Sequence, residues 1–255
     1  MKTEHGGVLE PGGSWLTVAS FAREGAQRLL QQLLEEELSD HVSLAAGKED
    51  PAARGTHMHR SGHGRPRRLR TPAGEIEIRR PRLRGPNPSF RSRVLPHFKQ
   101  RARDSGELQL GRYLEGLAET DFDMAVSGLL GDVTLVSMAA RERLRPAWLV
   151  ETAAWKNGPL SDLDVAYVII DAIAPGRAGD LPSLIVVIGV LADGARSLLL
   201  VERAPAQGAA AVIRRKLLRR GLRYPQLVLG GGLRMAGAAA EAGPEAAVTR
   251  TRCSR

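Results

Sequence analysis

The sequence predicts a multi-part α+β protein, in which an N-terminal helix, a basic β-hairpin and a helical region precede an α/β domain. Three observations support this fold class. An amphipathic helical pattern covers Ser14–Leu38, basic residues gather in Arg54–Arg103, and apolar β-branched runs begin at Val165. The predicted parts span residues 1–53, 54–103, 104–160 and 161–255.

The α/β domain is predicted to open on three consecutive antiparallel strands. Val165–Ile170, Ser183–Leu191 and Arg196–Glu202 are apolar runs bounded by turn residues. Asp193-Gly194, between the last two runs, is typical of a tight hairpin, because glycine tolerates the positive φ of the turn.

A helix and a further strand are predicted next. Ala206–Leu222 has apolar residues near helical spacing with Arg and Lys between them, and should stop near Gly221. Gln226–Leu229 is a short strand that runs into three glycines, which predict a flexible turn. Strand, hairpin, helix and strand is the order that opens a ribonuclease-H-like fold, in which the last strand lies beside the first. We therefore expect an incomplete domain of this kind.

A single acid, Asp171, follows the first of these strands, whereas glycine ends the strand expected beside it. A two-metal nuclease needs clustered carboxylates at these strand ends, because two hard cations require several anionic oxygens. A lone Asp after an apolar strand is otherwise a turn or cap residue. The residues alone leave both interpretations open.

The basic charge is concentrated in one segment. Arg54–Arg103 holds fifteen of the 37 Lys and Arg residues and two acids, a net charge of +13, while the rest of the chain carries −4. A local excess of Arg is typical of a nucleic-acid contact, and Arg suits bidentate phosphate recognition. The alternative is a solvated basic arm without a specific partner. The candidate DNA-binding residues flank a predicted turn at Ala73-Gly74 and are Arg65, Arg67, Arg68, Arg70, Arg79, Arg80, Arg82 and Arg84.

The helix predicted at Ser14–Leu38 has an apolar stripe with charges opposite. Such a stripe must pack on something, through ordinary core packing or, alternatively, through self-association into a homo-oligomer. The Gly-rich Met1–Ser14 before it is expected to be disordered. The stripe consists of Phe21, Ala26, Leu29, Leu30, Leu33, Leu34 and Leu38.

The region before the α/β domain is predicted to be helical. Gly85–Pro96 is Pro-rich and is expected to be an extended linker. Gly106–Glu119 predicts a helix, Asp121–Leu144 predicts two short helices around Gly131-Asp132, and Trp148–Asn157 adds a turn or two. Helix, turn and helix is compatible with a helix-turn-helix DNA reader, although any αα-hairpin shows the same pattern.

Three histidines lie close together in sequence before the predicted hairpin. His57, His59 and His63 have a spacing that could chelate a metal, but no Cys or acid lies nearby in sequence, so we expect exposed histidines in a basic linker. The single Cys253 excludes an intramolecular disulfide framework. No signal peptide or apolar run of about 20 residues is found, so we expect no membrane contact and a cytoplasmic protein.

Five segments in order carry a resemblance to a known family. They are REGAQRLLQQLLEEEL, RTPAGEIEIRRPRLRG, WLVETAAWKNGPLSDLDVAYVIIDA, LIVVIGVLADGARSLLLV and LLRRGLRYPQLVLG. Together they resemble the Mutator-type transposases of bacterial insertion sequences over most of the chain. The resemblance implies a ribonuclease-H-like DDE nuclease that acts on double-stranded DNA at transposon ends, with two Mg²⁺ ions held by three carboxylates.

The sequence departs from the family pattern at the catalytic positions. The resemblance assigns the first catalytic Asp to Asp171, and the second falls on Gly231, where the family has Gly-Asp-Gly. The family's Cys-x-x-His pair would fall on Thr251 and Ser254, and its final Glu would follow Arg255. We therefore expect a truncated, degenerate copy, a pseudoenzyme in which Asp171 at most ligates a metal and no Mg²⁺ binds tightly.

Substitute acids and alternative functions complete the expectations. Glu202, at the end of the third strand, is the plausible substitute ligand, since Asp193 is expected to form the hairpin turn; Asp180 is a remoter possibility. The chain is then an inactive transposase that still binds DNA. The alternatives are a non-enzymatic DNA-binding competitor or regulator, and a non-functional decayed fragment.

Overall fold

The computed structural model of the chain describes residues 13–46, 58–71, 74–85, 90–104, 106–173, 184–204, 208–223, 225, 227–231 and 247–251. It divides into two compact units. The helical unit contains Ala22–Lys156, and the sheet unit contains Asn157–Ile173 and Ser183–Arg255 together with Met1–Phe21. The predictions about residues 1–12, His57, Asp180, Gly232 and Ser254 lie outside the described residues. In the part that is described, no helix is both long and apolar enough to cross a membrane.

The helical unit combines helices with two short antiparallel strand pairs, β1 with β4 and β2 with β3. Its elements are α1 (Gly13–Ala46, whose first turns belong to the sheet unit), β1 (His59–His63), β2 (Arg67–Thr71), β3 (Gly74–Ile78), β4 (Pro81–Arg84), α2 (Val94–Asp104), α3 (Gly106–Glu119), α4 (Phe122–Leu130), a 3-10 helix (Val133–Leu135) and α5 (Met138–Asn157).

Helix α1 supplies much of the core of the helical unit. Its predicted apolar stripe is buried from Ala26 to Leu38, with each stripe residue at most 2% exposed, while Phe21 is half-buried. The helix continues to Ala46, two turns beyond the predicted end. The stripe therefore packs within the core, and self-association stays an untested alternative.

The predicted hairpin is present as β2 and β3, and it docks on α1. Ile76 and Ile78 are buried. The backbone N–H of Glu77 donates to Gln27 Oε1 at 2.8 Å, and Gln31 both accepts from the N–H of Arg79 and donates to its carbonyl, each at 2.9 Å. These side chains satisfy backbone groups that an edge strand would otherwise leave open to another chain.

The histidine segment is more ordered than its sequence predicted. His59 and His63 lie in β1, and His63 Nε2 is 2.5 Å from Glu35 Oε1, while Arg60 is 2.6 Å from the other oxygen of Glu35. The expectation of a linker is wrong here, because the segment forms a strand, whereas His59 and His63 are exposed as predicted. The acid beside His63 comes from α1, 28 positions away in sequence. No group of three potential metal ligands occurs in the described ranges.

The predicted linker Gly85–Pro96 is wrong at its C-terminal end, where α2 begins. Ser92 Oγ accepts the N–H of Leu95 at 3.1 Å, which caps the first turn. Glu37 accepts the N–H of Arg93 at 2.5 Å and the hydroxyl of Ser92 at 2.6 Å. Pro96 is tolerated because the first turn of a helix does not use its N–H group.

Helices α3 and α4 cross with glycine at the contact. A Cβ atom built on Gly116 would lie 2.5 Å from the backbone N of Ala125, and one built on Gly128 would lie 2.8 Å from the backbone N of Tyr113. Asp121 caps α4 by accepting the N–H of Met124 at 3.0 Å. Helix α5 is continuous through Pro146, so Trp148–Asn157 is helical as predicted but continues the helix that begins at Met138.

The sheet unit is a five-stranded mixed sheet with the order β7-β6-β5-β8-β9. The first three strands are antiparallel neighbours, β8 is parallel to β5, and β9 is parallel to β8. This confirms the predicted order of strands, including the return of the strand after the helix to the side of the first. Its elements are β5 (Val165–Ile173), β6 (Leu184–Leu191), β7 (Arg196–Arg203), α6 (Ala209–Arg219), β8 (Leu227–Gly231) and β9 (Ala247–Thr251).

Two features of this sheet differ from the prediction. Gly230 and Gly231 form the end of β8 instead of a flexible turn, because their backbone pairs with β9, and Gly230 also pairs with β5. Strand β9 was not predicted. Its residues, AVTRT, show too short a pattern to distinguish a strand from a loop.

Helix α6 covers one face of the sheet and ends as predicted. Gly221, with φ 81°, donates its N–H to Leu218 O at 2.9 Å, and Leu222 N–H donates to Leu217 O at 3.1 Å. The guanidinium of Arg220, the C-cap residue before Gly221, donates to Gly158 O at 2.7 Å and to the carbonyl of Leu199, which lies at a bulge in β7. Its burial lowers the pKa of Arg220.

Candidate functional site

Asp171 lies near the C-terminal end of β5 on the face of the sheet that α6 does not cover. Val168 and Ile170 point into the core formed with α6, and successive strand side chains alternate, so Asp171 projects to the other side. Its partner across to β6 is Val186, which is fully buried. The N–H of Ala172 donates to Asp171 Oδ1 at 2.9 Å.

Partial burial dominates the electrostatics of Asp171. It raises the pKa of the Asp171 carboxyl above its ordinary value, and the hydrogen bond from Ala172 opposes this shift only in part. The ionised carboxylate is therefore held in an environment that disfavours its charge. Such a cost to stability is typical of positions kept for chemistry.

Replacing Asp171 by Asn is expected to raise the free energy of unfolding at neutral pH. The folded pKa lies above the unfolded value, so the folded chain binds more protons between the two values and its stability falls as pH rises through them. Urea unfolding should show a gain for Asp171→Asn at about pH 7 that shrinks below the unfolded pKa of about 3.8. Asp162→Asn, at an exposed aspartate, is the control. An equal gain for Asp171→Asn at both pH values would contradict the burial argument.

Position 231 lies beside Asp171. The parallel register of β5 and β8 pairs Ile170 with Gly230, so the next step along both strands aligns Asp171 with Gly231. Aligned residues of neighbouring strands project from the same face. Gly231 pairs in turn with Thr251 of β9. The structure therefore brings the two positions that the sequence assigned to the first and second catalytic acids next to each other.

Glu202 does not share the face of Asp171. Glu202 pairs with Ile185, and Ile185 pairs with Ala172, so Glu202 projects from the face covered by α6. Its Oε1 lies 2.6 Å from Lys216 Nζ of that helix. Asp193 lies in the hairpin turn as predicted, where its Oδ1 accepts the N–H of Ala195 at 2.8 Å.

The residues around Asp171 do not fit a two-Mg²⁺ centre. The carboxylate has a buried valine on one side, Val186, and a glycine on the other, Gly231. Mg²⁺ prefers oxygen ligands, and a pair of such ions needs several anionic ones. Within the described residues, the neighbouring positions on β6 and β8 supply no second carboxylate beside Asp171.

The predicted DNA-binding arginines lie on the two strand pairs and the segments that flank them. Seven of the eight are exposed, and Arg80 is half-buried with its Nη2 donating to Phe90 O at 2.9 Å. Arg80 therefore holds the segment before α2 in place. The exposed seven are Arg65, Arg67, Arg68, Arg70, Arg79, Arg82 and Arg84.

Local acids neutralise only part of this positive surface. Glu75 lies 3.8 Å from Arg68 and 3.5 Å from Arg70, and Glu77 lies 3.8 Å from Arg79. Exposed pairs at such distances contribute little and exchange readily for other partners. The remaining four have no ion-pair partner among the residues described here: Arg65, Arg67, Arg82 and Arg84.

The basic residues of α5 are engaged within the helical unit instead. Arg143 lies 2.7 Å from Glu36 and 2.5 Å from Asp40 of α1, and Arg145 lies 2.7 Å from Asp123 of α4. The second helix of the predicted helix-turn-helix therefore uses these cations to hold neighbouring helices. Its role as a DNA reader stays a prediction.

A second basic surface, on α6, was not predicted as a DNA contact. Its signal is present in the sequence, because residues 203–223 contain seven Lys and Arg residues and no acid. The signal was missed because acids elsewhere in the chain give the part outside Arg54–Arg103 a net negative charge.

The sequence model of a family described as "Transposase, Mutator family" matches residues 15–253, which is nearly the whole chain. A search of curated proteins found no match.

Proposed function

Since this chain belongs to the Mutator family of transposases, we propose that it binds transposon-end DNA through its arginine-rich strand pairs and lacks a working two-metal centre. The observation that carries the proposal is that the register of β5 and β8 aligns Asp171 with Gly231. The exposed and largely uncompensated arginine surface of the helical unit supports DNA binding separately. The family supplies the general function, DNA transposition. The residues determine which steps this chain retains.

The sheet supports a ribonuclease-H-like assignment for the C-terminal part. Three antiparallel strands, a crossover helix and two further strands parallel to the first give the order β7-β6-β5-β8-β9. In sheets of this kind catalytic acids gather at the carboxyl ends of the central neighbouring strands. Asp171 and position 231 occupy such ends, on β5 and β8.

The missing second acid supports catalytic deficiency. Phosphodiester chemistry with two metal ions depends on carboxylates that hold both ions against the attacking and leaving oxygens. Glycine at position 231 removes a ligand beside Asp171, and Glu202 projects from the opposite face. The Mg²⁺ ions of the family therefore have no adequate site among the described residues.

The contrast between two sets of arginines supports DNA binding through the strand pairs. The α5 arginines are neutralised by Glu36, Asp40 and Asp123, whereas Arg82 and Arg84 project from β4 without such partners in the described structure. Arginines that lack an internal partner are available to phosphates, and release of counterions from the DNA then favours binding. This surface contributes affinity without reading sequence.

A regulatory role is the second candidate. A chain that keeps its arginine surface but has lost the acid at position 231 would occupy transposon ends without cutting them. It would then compete with an active transposase for the same DNA. Inhibition of an active relative by excess protein would distinguish this role from simple loss of function.

Removing four arginines tests the proposal. The variant Arg65→Gln, Arg67→Gln, Arg82→Gln and Arg84→Gln is expected to bind end DNA more than tenfold more weakly at low salt. Its slope of log affinity against log salt should be shallower by about 3.6, because each lost phosphate contact removes about 0.9. Fluorescence anisotropy with a labelled inverted repeat and a scrambled duplex measures both quantities.

The control variant also loses four positive charges, but these charges lie on four separate elements. Arg28, Lys99, Arg112 and Arg196 are exposed and lie on four different elements, and their Gln variant should change the slope little. Products are also run on a denaturing gel with Mg²⁺ present. Equal effects of the two variants would overturn the binding surface. Nicking that Asp171→Ala abolishes would overturn the catalytic deficiency.

A further inference from the structure

The solvent side of α6 carries a row of arginines. Ile213 and Leu217 face the sheet and are buried, whereas Arg215 and Arg219 lie on the opposite side of the helix and are exposed. They are four residues apart, which places them about 6 Å apart along the helix axis. Arg223, just beyond the helix end, is also exposed.

Internal acids do not neutralise this row. Glu202 is engaged with Lys216, and Arg215, Arg219 and Arg223 have no ion-pair partner within the described ranges. Between Arg203 and Arg223 the sequence contains no Asp or Glu. The surface between the arginines is small and apolar, formed by Ala211 and the partly exposed Leu218.

We propose that this arginine row on α6 is a second duplex-binding surface, which contacts the phosphate backbone of a DNA segment other than the one presented to Asp171. The inference rests on the proposed DNA-binding function. Arginines on one helix face suit successive phosphates, because each guanidinium can donate two N–H hydrogen bonds to the oxygens of one phosphate. Among the described residues, the neighbours between these arginines are the apolar Ala211 and Leu218, and we infer a contact with phosphates that is independent of sequence.

The arginine row and Asp171 lie on opposite sides of the sheet. Helix α6 covers the face toward which Val168 and Ile170 point, and Asp171 projects from the other face. The sheet and the helix therefore lie between the arginine row and the carboxylate. One DNA duplex held against α6 occupies the side of the unit opposite the catalytic positions.

The test uses the full chain and two pairs of variants. Arg215→Gln with Arg219→Gln should make the salt slope of duplex binding shallower by about 1.8, equally for the inverted repeat and a scrambled duplex. Arg112→Gln with Arg196→Gln, two exposed arginines on separate elements, should leave the slope unchanged. Arg215→Lys with Arg219→Lys should retain most of the slope, because the charges remain.

The outcomes separate this surface from the proposed function. If the wild-type chain binds duplex and the α6 variant keeps the wild-type slope, the α6 surface is overturned while the proposed function stands. If the wild-type chain binds no duplex, both are overturned. Loss of binding to a single-stranded RNA, with duplex binding unchanged, also overturns the α6 surface as a duplex contact. Far-ultraviolet circular dichroism checks that the variants remain folded.

Discussion

A Gly116→Ala variant is expected to lose about 1–3 kcal/mol of unfolding free energy, although alanine normally stabilises a helix relative to glycine. The added Cβ would lie 2.5 Å from the backbone N and 2.7 Å from the Cα of Ala125 in α4. Backbone atoms of a packed helix cannot rotate aside as a flexible side chain does. Accommodation therefore requires α3 and α4 to move apart, which disturbs the packing around both.

Urea unfolding followed by tryptophan fluorescence measures this loss. Trp148 packs edge-on against Phe122 of α4 at 5.7 Å between ring centroids, so its emission reports on this packing. Gly64→Ala is the control, because its Cβ would meet only the carbonyl of Arg80 at an ordinary 3.5 Å. A neutral or stabilising Gly116→Ala would show that the helices do not cross this closely.

A Gly231→Asp variant is expected to bind Mn²⁺ at least tenfold more tightly than the wild-type chain. The register aligns position 231 with Asp171 on one face, so the new carboxylate would supply further oxygen ligands beside the existing one. Without metal, two neighbouring carboxylates repel each other, which raises the pKa of one and lowers stability. Bound cation should restore that stability.

Titration of Mn²⁺ by electron paramagnetic resonance measures the affinity, and thermal unfolding with and without Mn²⁺ gives an independent measurement. The control is Gly231→Asp combined with Asp171→Asn, which keeps the new acid and removes its neighbour. Tight binding should require both carboxylates. Equal affinity in the single and double variants would mean that positions 171 and 231 do not form one site.

The elements predicted well are those whose pattern is local. Strands β5 and β6 are apolar β-branched runs, β7 is a leucine-rich run, and α6 ends just before a glycine with positive φ, Gly221. The elements that were missed depend on distant partners. Helix α2 begins where Glu37 accepts the N–H of Arg93, and β1 is stabilised by Glu35. Neither contact can be predicted from the sequence of the element itself, because the acid lies far away in the chain.

The candidate site, like the fold, was predictable only in part. The crossover rule was sufficient to place position 231 beside Asp171, because it needs only the order of elements. The face of Glu202 was not predictable, since it depends on the pairing of Ile185 with both flanking strands. A shift of one residue in that register would have moved Glu202 to the other face.

The contacts of α1 also determine when the helical unit can form during synthesis. Glu36 and Asp40 bind Arg143, which lies more than 100 positions later in the chain. Gln31 forms its hydrogen bond with Arg79, which lies 48 positions later. Long-range contacts of this kind slow folding. The leucine stripe of α1 therefore leaves the ribosome well before its partners exist, and newly made chains pass through a stage in which that stripe is open to chaperones or to aggregation.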